Sequence, residues 1–167
     1  MIKVFLVEDE KIIRESVKHN IPWNMEGLEF VGDAGDGEIA YPMIQQLKPD
    51  ILITDIRMPF TDGLELSRLV KEVLPEIKII ILSGYSDFDY AKQAINIGVT
   101  EYLLKPISSE KLLQEIKKVA EKIKEERVQS YYQEQLQLNQ KEQETIEKQK
   151  FFNQLIFKEL TFTQIIE

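Results

Sequence analysis

The 167-residue chain has no cysteine and only one histidine, and this scarcity limits its chemistry. Without cysteine it can form no disulfide, thiolate metal site or cysteine nucleophile. No run of about 18 apolar residues occurs, which excludes a membrane-spanning helix. The first residues, MIKVFLVED, soon reach acidic side chains and offer no small-residue cleavage site. We therefore expect no signal peptide, no membrane contact and a cytoplasmic protein.

Positive charge is also in short supply, since 21 Lys and Arg stand against 29 Asp and Glu, for a net charge of −8. The chain as a whole is therefore expected to be repelled by nucleic acid. An apolar fraction of 43% still supports a buried core and excludes a chain that is disordered throughout.

Glycine and proline are missing from the last third of the chain, because all seven Gly and all six Pro lie at or before residue 106. This distribution predicts a turn-rich domain over residues 1–123 and helix beyond it. For residues 124–150 a polar surface helix, a dimeric coiled coil and a helical linker all remain open. Residues 151–167 regain apolar density, and we expect them to begin a further module that continues outside this chain.

Short β-branched runs alternate with helical patterns in the first part. The predicted strands are Ile2–Val7, Phe30–Asp33, Ile51–Thr54, Ile77–Leu82 and Glu101–Leu104. The predicted helices are Lys11–Asn20, Glu38–Leu47, Gly63–Val73, Phe88–Ile97 and Glu110–Ile123, with caps at Asp36 or Gly37, Asp62, Asp87, and Ser108 or Ser109. Such alternation predicts an α/β doubly wound parallel sheet. Five units suit the flavodoxin-like (βα)5 order 2-1-3-4-5, followed here by a long C-terminal helical extension.

Acidic residues follow the strands that would flank the switch point of this sheet. Glu8 and Asp9 follow the first strand and Asp55 follows the third, so the fold would gather them in one pocket. Carboxylates this close repel unless a cation bridges them, and Mg²⁺ prefers such oxygen ligands. The other interpretation is that Glu8 and Glu10 cap the following helix, where acids meet the positive end of its dipole, and it is preferred for Glu10.

The fourth and fifth strands end in Ser83 and in Lys105, a hydroxyl and an ammonium. Converging on the acidic pocket, they would bind a doubly charged anion such as a phosphoryl group. Taken alone, Ser83 could equally be a turn residue and Lys105 an ion-pair partner, with no role in binding an anion. The four strand ends together indicate a site.

These residues resemble the receiver domain of bacterial two-component response regulators. The resemblance covers residues 1–123. It rests on the acidic pair in Leu6–Glu10, the phosphoacceptor segment Asp55–Pro59 with Asp62–Gly63 after it, and the switch segments Ser83–Tyr85 and Tyr102–Pro106. One departure is Glu8, which stands where many members carry Asp.

The resemblance implies a role for each matching residue. Asp55 would accept a phosphoryl group from a partner histidine kinase, and the metal ligands would be Glu8, Asp9, Asp55 and the Arg57 backbone carbonyl. Ser83 and Lys105 would bind the phosphoryl group, Tyr102 would be the switch aromatic, and Pro106 would follow a cis peptide bond. The chain would be a phosphoacceptor switch rather than an enzyme, capable at most of self-phosphorylation and slow self-dephosphorylation.

Further segments are similar to the YesN-like subgroup, whose receivers precede an AraC-type helix-turn-helix: Ile21–Trp23, Ile56–Pro59 and Leu82–Phe88. The resemblance thus implies transcription regulation through a DNA-binding module. Residues after 123 carry six Lys and Arg against eight Glu, so DNA contact would come only from a module absent from this chain. A homodimer is expected through the fourth helix, fifth strand and fifth helix, or through the helical linker.

Two other functions fit these residues less well. A non-phosphorylated receiver-like interaction module would typically lack an acid, the hydroxyl or the lysine, yet all are present. A phosphatase of the haloacid dehalogenase type would need a second acid two residues after its nucleophile, where Arg57 stands.

Overall fold

A computed structural model of the chain describes residues 1–84 and 88–165, with side chains up to residue 156 of the last helix. Its elements alternate along the chain: β1 (Ile2–Val7), α1 (Lys11–Asn20), β2 (Leu28–Ala34), α2 (Gly37–Leu47), β3 (Ile51–Asp55), α3 (Gly63–Val73), β4 (Lys78–Ser83), α4 (Phe88–Ile97), β5 (Glu101–Leu104) and α5 (Ser109–Ile165). The strands form one parallel sheet in the order β2-β1-β3-β4-β5. The predicted fold class and strand order are confirmed.

Two apolar clusters lie on opposite faces of the sheet, because successive strand residues point to opposite sides. In β1, Val4 and Leu6 join the cluster covered by α1 and the first turns of α5, while Phe5 and Val7 join the cluster covered by α2, α3 and α4. Every residue of β3 is buried, which explains its nearly continuous apolar sequence. Each buried Val, Leu or Ile contributes about 1.5–3 kcal/mol, so both faces stabilise the sheet.

Three helix starts carry the predicted caps. The side chains of Asp36, Asp62 and Ser108 accept hydrogen bonds from backbone N–H groups three residues ahead, at 2.8, 2.8 and 3.1 Å. Tyr85, Ser86 and the predicted cap Asp87 lie outside the described residues. The prediction for Glu10 was wrong in one respect: it stands at the N-cap position of α1, yet its side chain makes no capping hydrogen bond.

A short 3₁₀ helix, Trp23–Glu26, lies between α1 and β2, where the sequence pattern predicted no element. Trp23 is buried, and its indole Nε1–H donates to the Lys18 carbonyl at the end of α1 at 3.1 Å. Its ring centroid is 5.0 Å from that of Phe30. The indole thus fills the space between α1 and the sheet.

The chain comprises two compact units, Met1–Ile123 and Lys124–Glu167. The predicted long C-terminal helical extension is confirmed, since α5 runs from Ser109 to Ile165 and includes the fifth helix predicted at Glu110–Ile123. In the second unit the apolar side chains described are exposed, among them Val128, Tyr131, Leu136 and Ile146. In the described part of the chain, no helix combines the length and apolar character that crossing a membrane requires.

Candidate functional site

Three acidic side chains meet at the carboxyl ends of β1 and β3. These strands are neighbours, with Val7 opposite Thr54, so the residues that follow them emerge side by side. One carboxylate oxygen from each of Glu8, Asp9 and Asp55 lies within 4.8 Å of the others. Glu8 is fully buried, Asp55 is 9% exposed and Asp9 is exposed. The predicted acidic pocket is therefore formed at the switch point of the sheet.

Lys105, from the end of β5, places its ammonium between two of these carboxylates. Its Nζ lies 2.6 Å from Asp55 Oδ2 and 2.8 Å from Glu8 Oε2. The lysine is positioned by the sheet, because its backbone N–H donates to the Ser83 carbonyl at 2.7 Å. One cation thus neutralises part of the charge that the pocket concentrates.

Burial and ion pairing shift the pKa values of Glu8 and Lys105. Burial raises the pKa of Glu8 above its ordinary value, although the ammonium of Lys105 acts in the opposite direction. Burial would lower the pKa of Lys105, but hydrogen bonds to Asp55 and Glu8 outweigh it and raise that pKa. Lys105 is therefore held in its charged form.

The backbone around Asp55 is tightly restrained. Asp55 Oδ1 accepts a hydrogen bond from the Arg57 N–H at 3.2 Å, and the Thr54 hydroxyl donates to the Asp55 carbonyl at 2.9 Å. The first residue of α3, Gly63, donates to the Ile56 carbonyl at 2.8 Å. A Cβ at Gly63 would stand 1.9 Å from the Asp55 carbonyl oxygen, so only glycine fits here.

The remaining predicted residues lie on β4 and β5. Ser83 is fully buried at the end of β4, opposite Leu104. Tyr102 is half-buried against the apolar cluster that α2, α3 and α4 cover. The Lys105–Pro106 peptide bond is cis.

The donor set of the pocket suits a hard cation. Glu8, Asp9 and Asp55 offer only oxygen ligands, and Mg²⁺ is typically held by one or two carboxylates together with waters. The Arg57 carbonyl belongs to the loop that follows Asp55 directly. The residues present therefore fit magnesium.

Two features of the structure were not predicted from the sequence. The guanidinium of Arg14 donates to the backbone carbonyl of Glu8, and no sequence motif of α1 indicates this contact. Phe60, in the loop between β3 and α3, has a φ of 66° and an 85% exposed side chain. A left-handed conformation is uncommon for an aromatic residue, and the local sequence gives no signal for it.

The strand order and the acidic pocket at its switch point define a doubly wound α/β domain of the flavodoxin-like class. Residues 4–117 match the response regulator receiver domain family. The chain belongs to this family, and it contains the receiver domain of a two-component response regulator.

Comparison with individual proteins agrees with this assignment. The chain is 38% identical over 128 residues to the uncharacterized transcriptional regulatory protein YesN of Bacillus subtilis, covering 77% of this chain and 35% of that protein. It is 43% identical over 112 residues to the transcriptional regulatory protein HptR of Staphylococcus aureus, covering 67% of this chain and 44% of that protein. The chain thus spans less than half the length of these curated relatives.

Solved structures show the same fold. The receiver domain of AraT, a response regulator from Geobacillus stearothermophilus, is 40% identical with a TM-score of 0.70, covering 75% of this chain and 97% of that one. A two-component transcriptional regulator AraC from Clostridium phytofermentans is 29% identical with a TM-score of 0.67, covering 77% and 99%. The similarity to YesN and the AraC regulator agrees with the subgroup expected from the sequence.

Proposed function

We propose that Asp55 accepts a phosphoryl group from a phosphohistidine of a partner histidine kinase. The observation that carries this proposal is the position of the Lys105 ammonium, 2.6 Å from Asp55 Oδ2 and 2.8 Å from Glu8 Oε2. A carboxylate paired with a fixed cation, at the mouth of an acidic pocket, is suited to receive and neutralise a transferred phosphoryl group.

In the proposed transfer, an oxygen of Asp55 forms a bond to phosphorus while the phosphorus–nitrogen bond of the phosphohistidine breaks. The electron pair of that bond stays on the imidazole, and Asp55 becomes an acyl phosphate. Such transfers depend mainly on positioning and on neutralising the oxygens of the phosphoryl group. The Arg57 N–H at Asp55 Oδ1 helps to orient the carboxylate.

Glu8, Asp9, Asp55 and the backbone carbonyl of Arg57 would hold Mg²⁺, and the ion would neutralise charge on the phosphoryl oxygens when bound. The three carboxylates supply oxygen ligands within 4.8 Å of one another, which supports this set. Both oxygens of Glu8 are contacted by Lys105 and the Glu10 N–H, and both oxygens of Asp55 by Lys105 and the Arg57 N–H, so these two carboxylates are held in place.

The modification would be transmitted to the face formed by α4, β5 and the first turns of α5. Ser83 and Lys105 would bind the phosphoryl oxygens, and Tyr102 would move into the space that Ser83 leaves. This face exposes apolar side chains, with Phe88 78%, Ile95 76% and Leu104 50% exposed. Because such side chains favour burial, a homodimer through this face is part of the proposal, with the helical linker 124–150 as the other candidate surface.

The switch would control a transcription-regulating module, and DNA would be contacted only through that module. The relatives that share this receiver are named transcriptional regulatory proteins, which supports this part of the proposal.

The test is phosphorylation by acetyl phosphate in MgCl₂, followed by intact-protein mass spectrometry. We expect wild-type protein to gain one phosphoryl group and Asp55→Asn to gain none while its circular dichroism is unchanged. Asp62→Asn is a matched control, because it removes a nearby carboxylate while asparagine retains the capping function at α3. It should be labelled like the wild type. Full labelling of Asp55→Asn at another residue would contradict the assignment.

A further inference from the structure

Arg14 connects helix α1 to the backbone that carries the acidic pair. Its side chain is 16% exposed. Nη1 donates to the Glu8 carbonyl at 2.5 Å and makes a longer contact of 3.5 Å with the Asp9 carbonyl. Residues 8–10 belong neither to β1 nor to α1, so these contacts restrain a segment that would otherwise have few constraints.

The other side of the guanidinium is anchored in the sheet. Arg14 Nε donates to Asp33 Oδ2 at 3.0 Å, and Asp33 also accepts from Lys18 Nζ at 3.1 Å. The guanidinium also lies beside Gly35, where a Cβ would be in ordinary van der Waals contact with Arg14 Nη1 at 3.4 Å. Arg14 is therefore held by a carboxylate of β2 while it holds the loop after β1.

The restraint reaches the acidic side chains through a short path. The Glu8 N–H donates to the Ala34 carbonyl at 3.1 Å, and the Glu10 N–H donates to Glu8 Oε1 at 3.3 Å. Arg14 supplies a further contact, at the Glu8 carbonyl. Together these bonds fix the peptide planes on both sides of Glu8 and so the direction in which its side chain leaves the backbone.

We propose that Arg14 is a positioning residue for the cation site, and this inference rests on the proposed function. It orders the backbone of Glu8 and Asp9 so that their carboxylates converge with that of Asp55. The planar guanidinium can donate to the Asp33 carboxylate and the Glu8 carbonyl simultaneously. A lysine at this position carries the same charge but cannot span both partners in this geometry.

A role through charge and a role through positioning predict opposite changes in Mg²⁺ binding when Arg14 is removed. If Arg14 acted only through its charge, removing it would strengthen cation binding, because a positive charge beside the pocket repels Mg²⁺. If Arg14 orders the ligands, removing it weakens binding, as the loss of groups that orient metal ligands commonly lowers affinity 10–100-fold. The sign of the change therefore distinguishes the two roles.

The experiment is a titration of the full chain with MgCl₂ alone, followed by the amide NMR signals of residues 8–10 and by calorimetry. The variants are Arg14→Gln, Arg14→Lys and the control Lys18→Gln, which removes the other cation on Asp33. Urea unfolding of each variant gives its stability separately. We expect Arg14→Gln and Arg14→Lys to require about tenfold more Mg²⁺ than wild type, with Lys18→Gln unchanged.

Unchanged or tighter Mg²⁺ binding by both folded Arg14 variants would overturn the proposal, even if their stability falls. An equal loss in Lys18→Gln would also overturn it, because the charge balance at Asp33 would then be the cause. If Arg14→Gln does not fold, the Mg²⁺ affinity of Arg14→Lys tests the proposal, since this variant retains the charge. Absence of Mg²⁺ binding by the wild type would instead contradict the proposed function itself, and the positioning role with it.

Discussion

Gly63→Ala should damage both the fold and the site, because Gly63 stands against the backbone at the end of β3. A Cβ there would lie 1.9 Å from the Asp55 carbonyl oxygen and 2.8 Å from its carbonyl carbon. Both are backbone atoms, which cannot rotate out of the way as a flexible side chain could. The hydrogen bond from the Gly63 N–H to the Ile56 carbonyl resists any shift of α3.

The magnitude follows from this geometry. Since real Cβ contacts are essentially never under 3.0 Å, α3 and the end of β3 must separate by about 1 Å to relieve a 1.9 Å contact. Overpacking of this kind costs about 1–3 kcal/mol, and a contact with rigid backbone lies at the upper end. We therefore expect the free energy of unfolding to fall by about 3 kcal/mol, measured by urea denaturation with circular dichroism.

Gly84→Ala is the matched control, because no atom of the described residues, which leave out 85–87, lies within 4 Å of the position its Cβ would take. It should change the free energy of unfolding by less than about 0.5 kcal/mol. Gly63→Ala should also lose labelling by acetyl phosphate, since the Asp55 backbone must move. Stability within about 0.5 kcal/mol of wild type, with labelling intact, would refute the reasoning.

Three other perturbations give distinct outcomes. Lys105→Ala should lose the amide NMR changes that phosphorylation causes in Ser83 and Tyr102, because the ammonium that would hold the phosphoryl group is gone. Trp23→Ala should lower the free energy of unfolding by about 3–5 kcal/mol, measured in urea, because it removes a buried indole and its hydrogen bond to Lys18. Removing Mg²⁺ with EDTA should stop labelling of Asp55 by acetyl phosphate, read by mass spectrometry, while circular dichroism stays unchanged.

The following results would contradict these three predictions. Lys111→Ala removes an exposed lysine of α5 and should leave the NMR changes intact. If the NMR changes persist in Lys105→Ala, Lys105 has no part in the switch. A stability loss under about 1 kcal/mol in Trp23→Ala would show that the indole fills no essential space. Labelling that continues in EDTA would show that the transfer needs no divalent cation.

The fold was predictable because its determinants are local and periodic. The apolar runs of β3 and β4 indicate strands covered on both faces, and alternation with helices leaves few topologies. The convergence of Glu8, Asp9, Asp55 and Lys105 then follows from the strand order, since parallel strands end at one edge of the sheet. These residues are far apart in sequence, and only the topology brings them together.

The features that escaped prediction depend on particular three-dimensional neighbours. Arg14 is one of several charged residues on α1, and periodicity cannot distinguish a guanidinium that holds a loop from one in solvent. The 3₁₀ helix at Trp23 depends on a space between α1 and the sheet that sequence does not display. The long helix after residue 123 was predicted from the absence of Gly and Pro, although its almost entirely polar sequence gives no amphipathic signal.

The central claim, that the acidic pocket receives a phosphoryl group together with Mg²⁺, is tested most directly by beryllofluoride binding. Fluorine NMR of the full chain reports the bound phosphoryl mimic with and without MgCl₂. We predict a bound signal in wild-type protein only when Mg²⁺ is present, and none in Asp55→Asn. No bound signal in the presence of Mg²⁺, or an equal signal in Asp55→Asn, would contradict the claim.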